Sequence, residues 1–173
     1  MENTSAFDCE LKLCMAVGLE CAVMWLLAFF CNVGAFAYPL LALLQLGLVV
    51  ATLVHPAGRL VGYSREEAPL KGSRLVLLTL ISFVLCAVVT TFAQAVYFRY
   101  FDGGFFASQF LAAVDTLLPG NMVAQKEMLV ASLDLLANPS TAAKALLSTN
   151  LQFAIIGTLP CALIALVRNK KHK

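Results

Sequence analysis

Four long runs of apolar residues follow one another along the chain, and each is long enough to cross a bilayer. A helix needs about 20 apolar residues to span the hydrocarbon core. Only a few residues around Gly34 and Pro39 separate the first two runs, which predicts a tight antiparallel hairpin. His55-Pro56 predicts the last turn of the second helix. We expect an all-α, polytopic membrane protein, a single membrane domain with four transmembrane helices at about 13–33, 38–58, 75–98 and 150–167.

The segment 99–149, between the third and fourth runs, has helical periodicity of its own. Apolar residues recur at helical spacing from Phe105 to Leu118, and a second amphipathic helix is predicted from about Met122 to Leu136. Asn138-Pro139-Ser140 then restarts a helix that continues into the fourth run without a break. Helices that lie on a bilayer surface usually carry several Lys or Arg, whereas the two predicted outer helices together contain a single lysine. We therefore predict an extracytoplasmic helical cap on the bundle, with helices lying on the membrane surface as the alternative.

Composition supports this class of protein. Hydrophobic residues make up 61% of the chain and charged residues only 13%, whereas soluble domains carry about a quarter charged residues. The lipid bilayer is therefore the first partner that the sequence implies. The 173 residues form one compact unit and leave no room for a separate soluble catalytic domain.

The placement of Lys and Arg predicts the orientation. The segment between the second and third runs and the tail after the fourth run each carry four positive charges, and the first hairpin carries none. We expect both termini in the cytoplasm and residues 99–149 outside. A cleaved signal peptide is the competing interpretation of the start, but the leading region is acidic and Glu20 interrupts its apolar stretch. The positive residues are Arg59, Arg65, Lys71, Arg74, Arg168, Lys170, Lys171 and Lys173.

No residue pattern indicates catalysis, a metal site or a cofactor. The six cysteines form no CxxC pair, and His55 and His172 lie far apart, so zinc ligation is not expected. The nucleophile-elbow, zinc-protease, P-loop and dinucleotide motifs are all missing from the sequence. The short basic tail adjoins a membrane span, which argues against nucleic acid as a partner. We expect no enzymatic activity.

Glu20 is the first candidate functional residue. It lies about 10 Å into the first span at 1.5 Å per residue, and an ionisable group at that depth is a functional candidate by default. It could bind a proton or a cation in a carrier. The alternatives are a protonated Glu20 bonded to a neighbouring helix or a side chain tilted toward the headgroups. No second acid lies within a span, which counts against a proton relay.

Further polar residues are candidates within the bundle and at its outer face. A polar stripe on the third span contains Thr79, Ser82, Cys86, Thr90 and Gln94. Gln94 and Gln45, in the second span, could form hydrogen bonds inside the bundle. The stripe is consistent with helix packing or with a polar pathway, as are the small residues Cys14, Gly18, Ala22, Gly157 and Cys161. At the outer end of the third span, Arg99 and Asp102 are candidates for a surface ion pair or for a substrate-headgroup site.

The chain resembles the bacterial four-span membrane proteins of domain-of-unknown-function family 4199. The resemblance rests on length, on four spans, on the stretch AVYFRYFD at residues 95–102, on the long outer segment and on the basic end. It covers residues 10–170 and implies a location in the bacterial inner membrane, without implying an activity. Small multidrug carriers also have a glutamate in their first span, but they are shorter and lack the outer segment.

These observations favour a non-enzymatic accessory or scaffold subunit of a cell-envelope complex, with an envelope protein or a second copy as its partner. The alternative is a small proton- or cation-coupled carrier that uses Glu20. An enzyme acting on lipid-linked substrates at the outer face is a weaker possibility.

Overall fold

The structure, a computed structural model, is all-helical in the residues that it describes. These are residues 2–35, 38–66, 70–117, 127, 128, 130, 131 and 139–170. The helices are α1 (Glu2–Ala35), α2 (Leu40–Glu66), α3 (Gly72–Tyr100), α4 (Phe105–Leu117) and α5 (Pro139–Lys170). Most of the predicted second outer helix, and the basic residues 171–173, lie outside the described residues.

Four of these helices are long and apolar enough to cross a membrane, which confirms the predicted fold class. Their candidate spans are Asp8–Ala35, Leu40–Arg65, Gly72–Tyr100 and Thr141–Arg168. Three of the spans extend past both ends of the predicted ranges, and the second begins at Leu40 and extends only past its far end. Polar and charged residues continue the helices beyond the apolar runs. The predicted continuation of a helix from Thr141 into the fourth span is also present, within α5.

The four long helices form a bundle in which neighbours in sequence are not always neighbours in space. α1 packs against α2 and α3, and α5 packs against the same two helices from the other side. α1 and α5 therefore occupy one diagonal of the bundle. The core between them contains large, fully buried side chains, among them Val17, Leu60, Leu75 and Phe83.

Two glycines allow the helices to approach closely. A Cβ atom on Gly18 would lie 2.9 Å from the backbone oxygen of Ser82, so α1 and α3 meet backbone to backbone at this point. A Cβ atom on Gly157 would lie 3.0 Å from the Leu53 side chain, where α5 meets α2. The packing interpretation of the small residues at these positions is thus supported.

The sequence predicted the last turn of the second helix at His55-Pro56, but helix α2 does not end there. It continues to Glu66 with Pro56 buried inside it. Proline lacks an N–H group and leaves the carbonyl four residues earlier, that of Thr52, without its helical donor. The Cys21 thiol of α1 lies 3.9 Å from this oxygen and can donate to it. Tertiary packing therefore compensates for the break, and the last ten residues of α2 stay helical.

The two halves of α2 have different surroundings. Ala57, Leu60 and Val61 are buried in the half that ends at Glu66. The half that follows the first hairpin is exposed instead. In the most apolar stretch of α2 only 17% is buried, against 50% in that of α3. The exposed side chains in this half include Leu40, Leu43, Leu44, Leu46 and Val50.

One end of the bundle carries most of the positive charge of the described residues. α1 and α3 begin there and α2 and α5 end there, so that the antiparallel order brings together Lys12, Arg65, Lys71, Arg74 and Arg168. We call this the basic end. At the opposite end, the rings of Phe29, Phe30, Tyr97, Phe98 and Phe106 contact one another edge to face.

Candidate functional site

In the structure, the Glu20 carboxylate contacts two side chains of α2. One carboxylate oxygen, Oε2, lies 2.6 Å from Nε2 of His55, and the other, Oε1, accepts a hydrogen bond of 3.3 Å from Nη2 of Arg59. All three side chains are partly accessible, with 39%, 36% and 50% of Glu20, His55 and Arg59 exposed. The carboxylate thus bridges α1 and α2 through both of its oxygens.

The geometry of the first hairpin brings these side chains together. Glu20 lies 15 residues before the end of α1 at Ala35, and His55 lies 15 residues after the start of α2 at Leu40. Two antiparallel helices joined by a short turn place such residues at the same depth. Arg59 follows His55 by four residues and therefore lies on the same face of α2.

The distance of this cluster from the basic end makes it a candidate functional site. Glu10 marks the basic end, where Oε2 lies 2.7 Å from Nη2 of Arg74, and Glu20 is ten residues further along α1. At 1.5 Å per residue the cluster lies about 15 Å beyond that pair, toward the middle of the bundle. Charged groups at such a depth are stabilised by pairing with one another, as they are here.

The trio combines an acidic side chain with an imidazole and a guanidinium group that both contact it directly. A short contact between an imidazole nitrogen and a carboxylate oxygen is typical of a charge-assisted hydrogen bond. The arrangement is thus suited to binding and releasing a proton, and equally to holding α1 against α2.

A second polar cluster lies nearer the other end of the bundle, around Asn150 of α5. Its amide nitrogen donates to Oγ1 of Thr91 at 2.9 Å and to Oε1 of Gln94 at 2.8 Å, both on α3. Its amide oxygen accepts from the indole N–H of Trp25, on α1, at 3.2 Å. Asn150, Thr91 and Gln94 are buried, so one side chain links three helices.

The rest of the polar stripe on α3 serves packing. Thr79 and Ser82 donate to the carbonyl oxygens of Leu75 and Leu78, four residues earlier in their own helix. Thr90 donates in the same way to Cys86. Among the described residues, every buried side-chain nitrogen and oxygen atom has a hydrogen-bond partner. These hydroxyl groups therefore need no water or ligand to be satisfied.

The other predicted site residues are placed separately. Gln45 is partly exposed on α2 and is not part of the Asn150 cluster, whereas Gln94 does form a hydrogen bond within the bundle, as predicted. Arg99 is exposed, and the described residues contain no ion pair between it and Asp102. The expected pairing of Arg99 with Asp102 is therefore not observed.

Asp102 has a structural role at the outer end of α3. Its carboxylate accepts from the backbone N–H groups of Gly104 and Phe106, both at 3.1 Å, and so begins α4. Gly103 and Gly104 adopt positive φ angles of 54° and 84°, a region that favours glycine. The predicted role of Arg99 and Asp102 in a substrate-headgroup site stays a prediction. Whether α4 caps the bundle or lies on the membrane surface stays a prediction.

Sequence reasoning missed His55, Arg59 and Asn150 as partners. His55 was interpreted as a marker of a helix end and Arg59 as a charge of the connecting segment, although both lie inside α2. A usable signal was present, since Glu20 and His55 are equally far from the hairpin turn. For Asn150 the only signal was an amide at the edge of an apolar run.

The described residues contain no group of three or more His, Cys, Asp or Glu side chains able to hold a metal ion. Comparison of the chain with protein-family models, with curated proteins and with solved structures found no match. The resemblance to domain-of-unknown-function family 4199 accordingly stays a prediction.

Proposed function

We propose that this protein is a non-enzymatic accessory or scaffold subunit of a cell-envelope complex, and that α2 contacts its partner. The observation that carries the proposal is the exposed half of α2. A Cβ atom on Gly47 in this half would have no heavy atom within 4 Å. A glycine inside a helix costs about 1 kcal/mol relative to alanine, and nothing in the described residues requires one here.

A transmembrane helix of another protein fits this surface. Helices in bilayers associate through small residues that let their backbones approach, and Gly47 lies among the exposed Leu43, Leu46 and Val50. The described buried polar atoms of the bundle are satisfied internally. Apolar side chains are exposed on all four long helices, but α2 has the least buried candidate span, at 17%. An internally satisfied bundle whose least buried helix also exposes an unpacked glycine supports docking against a partner rather than chemistry.

Site-specific photocrosslinking in native membranes tests the scaffold proposal. A photoreactive residue at Leu43 should form an adduct with one other protein, and a photoreactive residue at Phe92, exposed on α3, should not. Gly47→Ile should reduce the Leu43 adduct several-fold without changing the thermal stability of the purified protein. Equal adducts at Leu43 and Phe92, or an adduct indifferent to Gly47→Ile, would count against a docking surface. An adduct with the mass of two chains would show that this surface binds a second copy of the protein, and it would contradict the accessory role.

Orientation and location are part of the same proposal. The distribution of Lys and Arg supports a position with the basic end in the cytoplasm, and the resemblance stated above supports the bacterial inner membrane. A fluorescent protein that folds only in the cytoplasm, fused after Lys173, should be bright. An alkaline phosphatase fusion at the same place should be inactive, and the opposite result would reverse the orientation.

A second candidate, a small proton- or cation-coupled carrier, is favoured by the 2.6 Å contact between Glu20 and His55. The rate of proton-coupled cation transport by the purified protein in liposomes should be at least tenfold lower in Glu20→Gln than in the wild type if that carboxylate carries the proton. Glu10→Gln is the control, because Glu10 is also an α1 glutamate in an ion pair but lies at the basic end. Equal flux in wild type and Glu20→Gln would end the carrier hypothesis.

A further inference from the structure

Two arginines at the basic end lie where α2 and α5 pack against each other. Nη2 of Arg65 donates a 3.2 Å hydrogen bond to the backbone oxygen of Arg168. The Arg168 side chain in turn runs across α2, with its Nη1 3.9 Å from the position of a Cβ atom on Gly58. Both arginines are exposed, so the groove between these two helices presents two positive charges.

The direction of the Arg168 side chain follows from the course of the helices. In an α-helix every Cα–Cβ bond tilts toward the N-terminus, and both α2 and α5 end at the basic end. Their last arginines therefore lean back along the bundle rather than away from it. Gly58 lies seven residues before Arg65, or about 10 Å further from the end of α2. The Arg168 guanidinium consequently lies on the bilayer side of its own Cα atom.

A guanidinium that leans from the basic end back toward the bilayer calls for an anion that can reach it from the lipid side. Long basic side chains near helix ends normally extend to the aqueous interface. The described residues form three ion pairs, and neither Arg65 nor Arg168 takes part in one of them. The Glu20 carboxylate is already bound by His55 and Arg59.

We propose that Arg65 and Arg168 form a binding site for the phosphate of an anionic phospholipid, in the groove between α2 and α5 beside Gly58. Arginine binds phosphate oxygens through paired N–H groups. Basic pockets between transmembrane helices are known to hold anionic headgroups. The acyl chains would extend along the apolar surfaces of the two helices, and the site is independent of the scaffold role.

Lipid titration of the full-length protein in neutral detergent tests this site. Phosphatidylglycerol and phosphatidylcholine with the same acyl chains are added separately, and the bound lipid is measured by native mass spectrometry. Phosphatidylglycerol should bind more tightly, and Arg65→Gln/Arg168→Gln should weaken it about thirtyfold, since each charge near the surface contributes about 1 kcal/mol. If the double variant does not fold, the single Arg65→Gln variant should show about a fivefold loss.

Two further variants separate a defined site from diffuse attraction. Lys12→Gln/Lys71→Gln removes the same charge from the same end of the bundle and should change the affinity by less than about threefold. Gly58→Leu keeps both arginines but displaces the Arg168 guanidinium, and it should weaken phosphatidylglycerol binding several-fold.

Three results would overturn the proposal. They are equal binding of the two lipids, equal losses in the arginine and lysine double variants, and full competition by inorganic phosphate at matched concentration, which would identify a site for a free anion.

Discussion

Replacing Gly18 with valine should destabilise the bundle by about 3 kcal/mol, the upper part of the range for overpacked cores. The added Cβ atom would lie 2.9 Å from the backbone oxygen of Ser82 and 2.9 Å from Cδ2 of Leu85. The Leu85 side chain can move, but the Ser82 carbonyl belongs to the α3 backbone and cannot move without shifting that helix. Gly18→Ala should show a smaller loss in the same direction. Reversible unfolding of the purified protein in detergent, by thermal or denaturant titration, measures the change.

Gly62→Val is the matched control for Gly18→Val. Gly62 lies inside α2, so the substitution introduces the same β-branched residue into a transmembrane helix. A Cβ atom there would have no heavy atom within 4 Å, so the free energy of unfolding should change by less than about 1 kcal/mol. Equal losses at Gly18 and Gly62 would show that helix propensity, rather than the approach of α1 to α3, determines the effect.

Asn150→Leu should lower the free energy of unfolding by about 2 kcal/mol. Three hydrogen bonds converge on this side chain, and interhelical bonds in membrane proteins contribute from about 0.6 to 2 kcal/mol each. The substitution would also leave the buried Gln94 carbonyl and the Trp25 N–H without their partner, which adds to the loss. Fluorescence of Trp25, the only tryptophan in the chain, should shift as its environment changes, and this reports on the site directly.

Gln152→Leu is the control for Asn150→Leu. Gln152 lies two residues further along α5 and is exposed, so that the same change from amide to leucine removes no buried hydrogen bond. It should leave the stability and the Trp25 emission unchanged. A stable Asn150→Leu protein with unaltered emission would mean that the Asn150 cluster does not contribute to holding α1, α3 and α5 together.

For Glu20, the sequence pattern predicted the position of the residue but not its partners. Its position within a span was clear from hydropathy alone, and this made it a candidate. Its partners were not identified, because Pro56 suggested that α2 ends where it in fact continues. The rule that proline ends a helix describes local backbone chemistry. The thiol that donates to the freed Thr52 carbonyl is that of Cys21, which belongs to another helix. A rule about local backbone chemistry could not predict this contact.

Asp102 illustrates the opposite error. An aspartate close to an arginine at the end of a span suggested an ion pair. The backbone N–H groups of Gly104 and Phe106 occupy the carboxylate instead, since the start of α4 exposes donors that need an acceptor. The two glycines that follow Asp102 were the sequence signal for such a turn.

The sequence by itself determined that this is a four-span helical membrane protein, because the bilayer imposes a length and an apolarity that can be counted along the chain. It also located the basic end and pointed to Glu20 and Gln94. The tertiary structure alone decided which side chains meet: Glu20 with His55 and Arg59, Asn150 with three partners, and Arg65 with Arg168. The physical reason is that hydropathy records how each residue interacts with lipid, whereas these contacts depend on the rotation and depth of one helix against another.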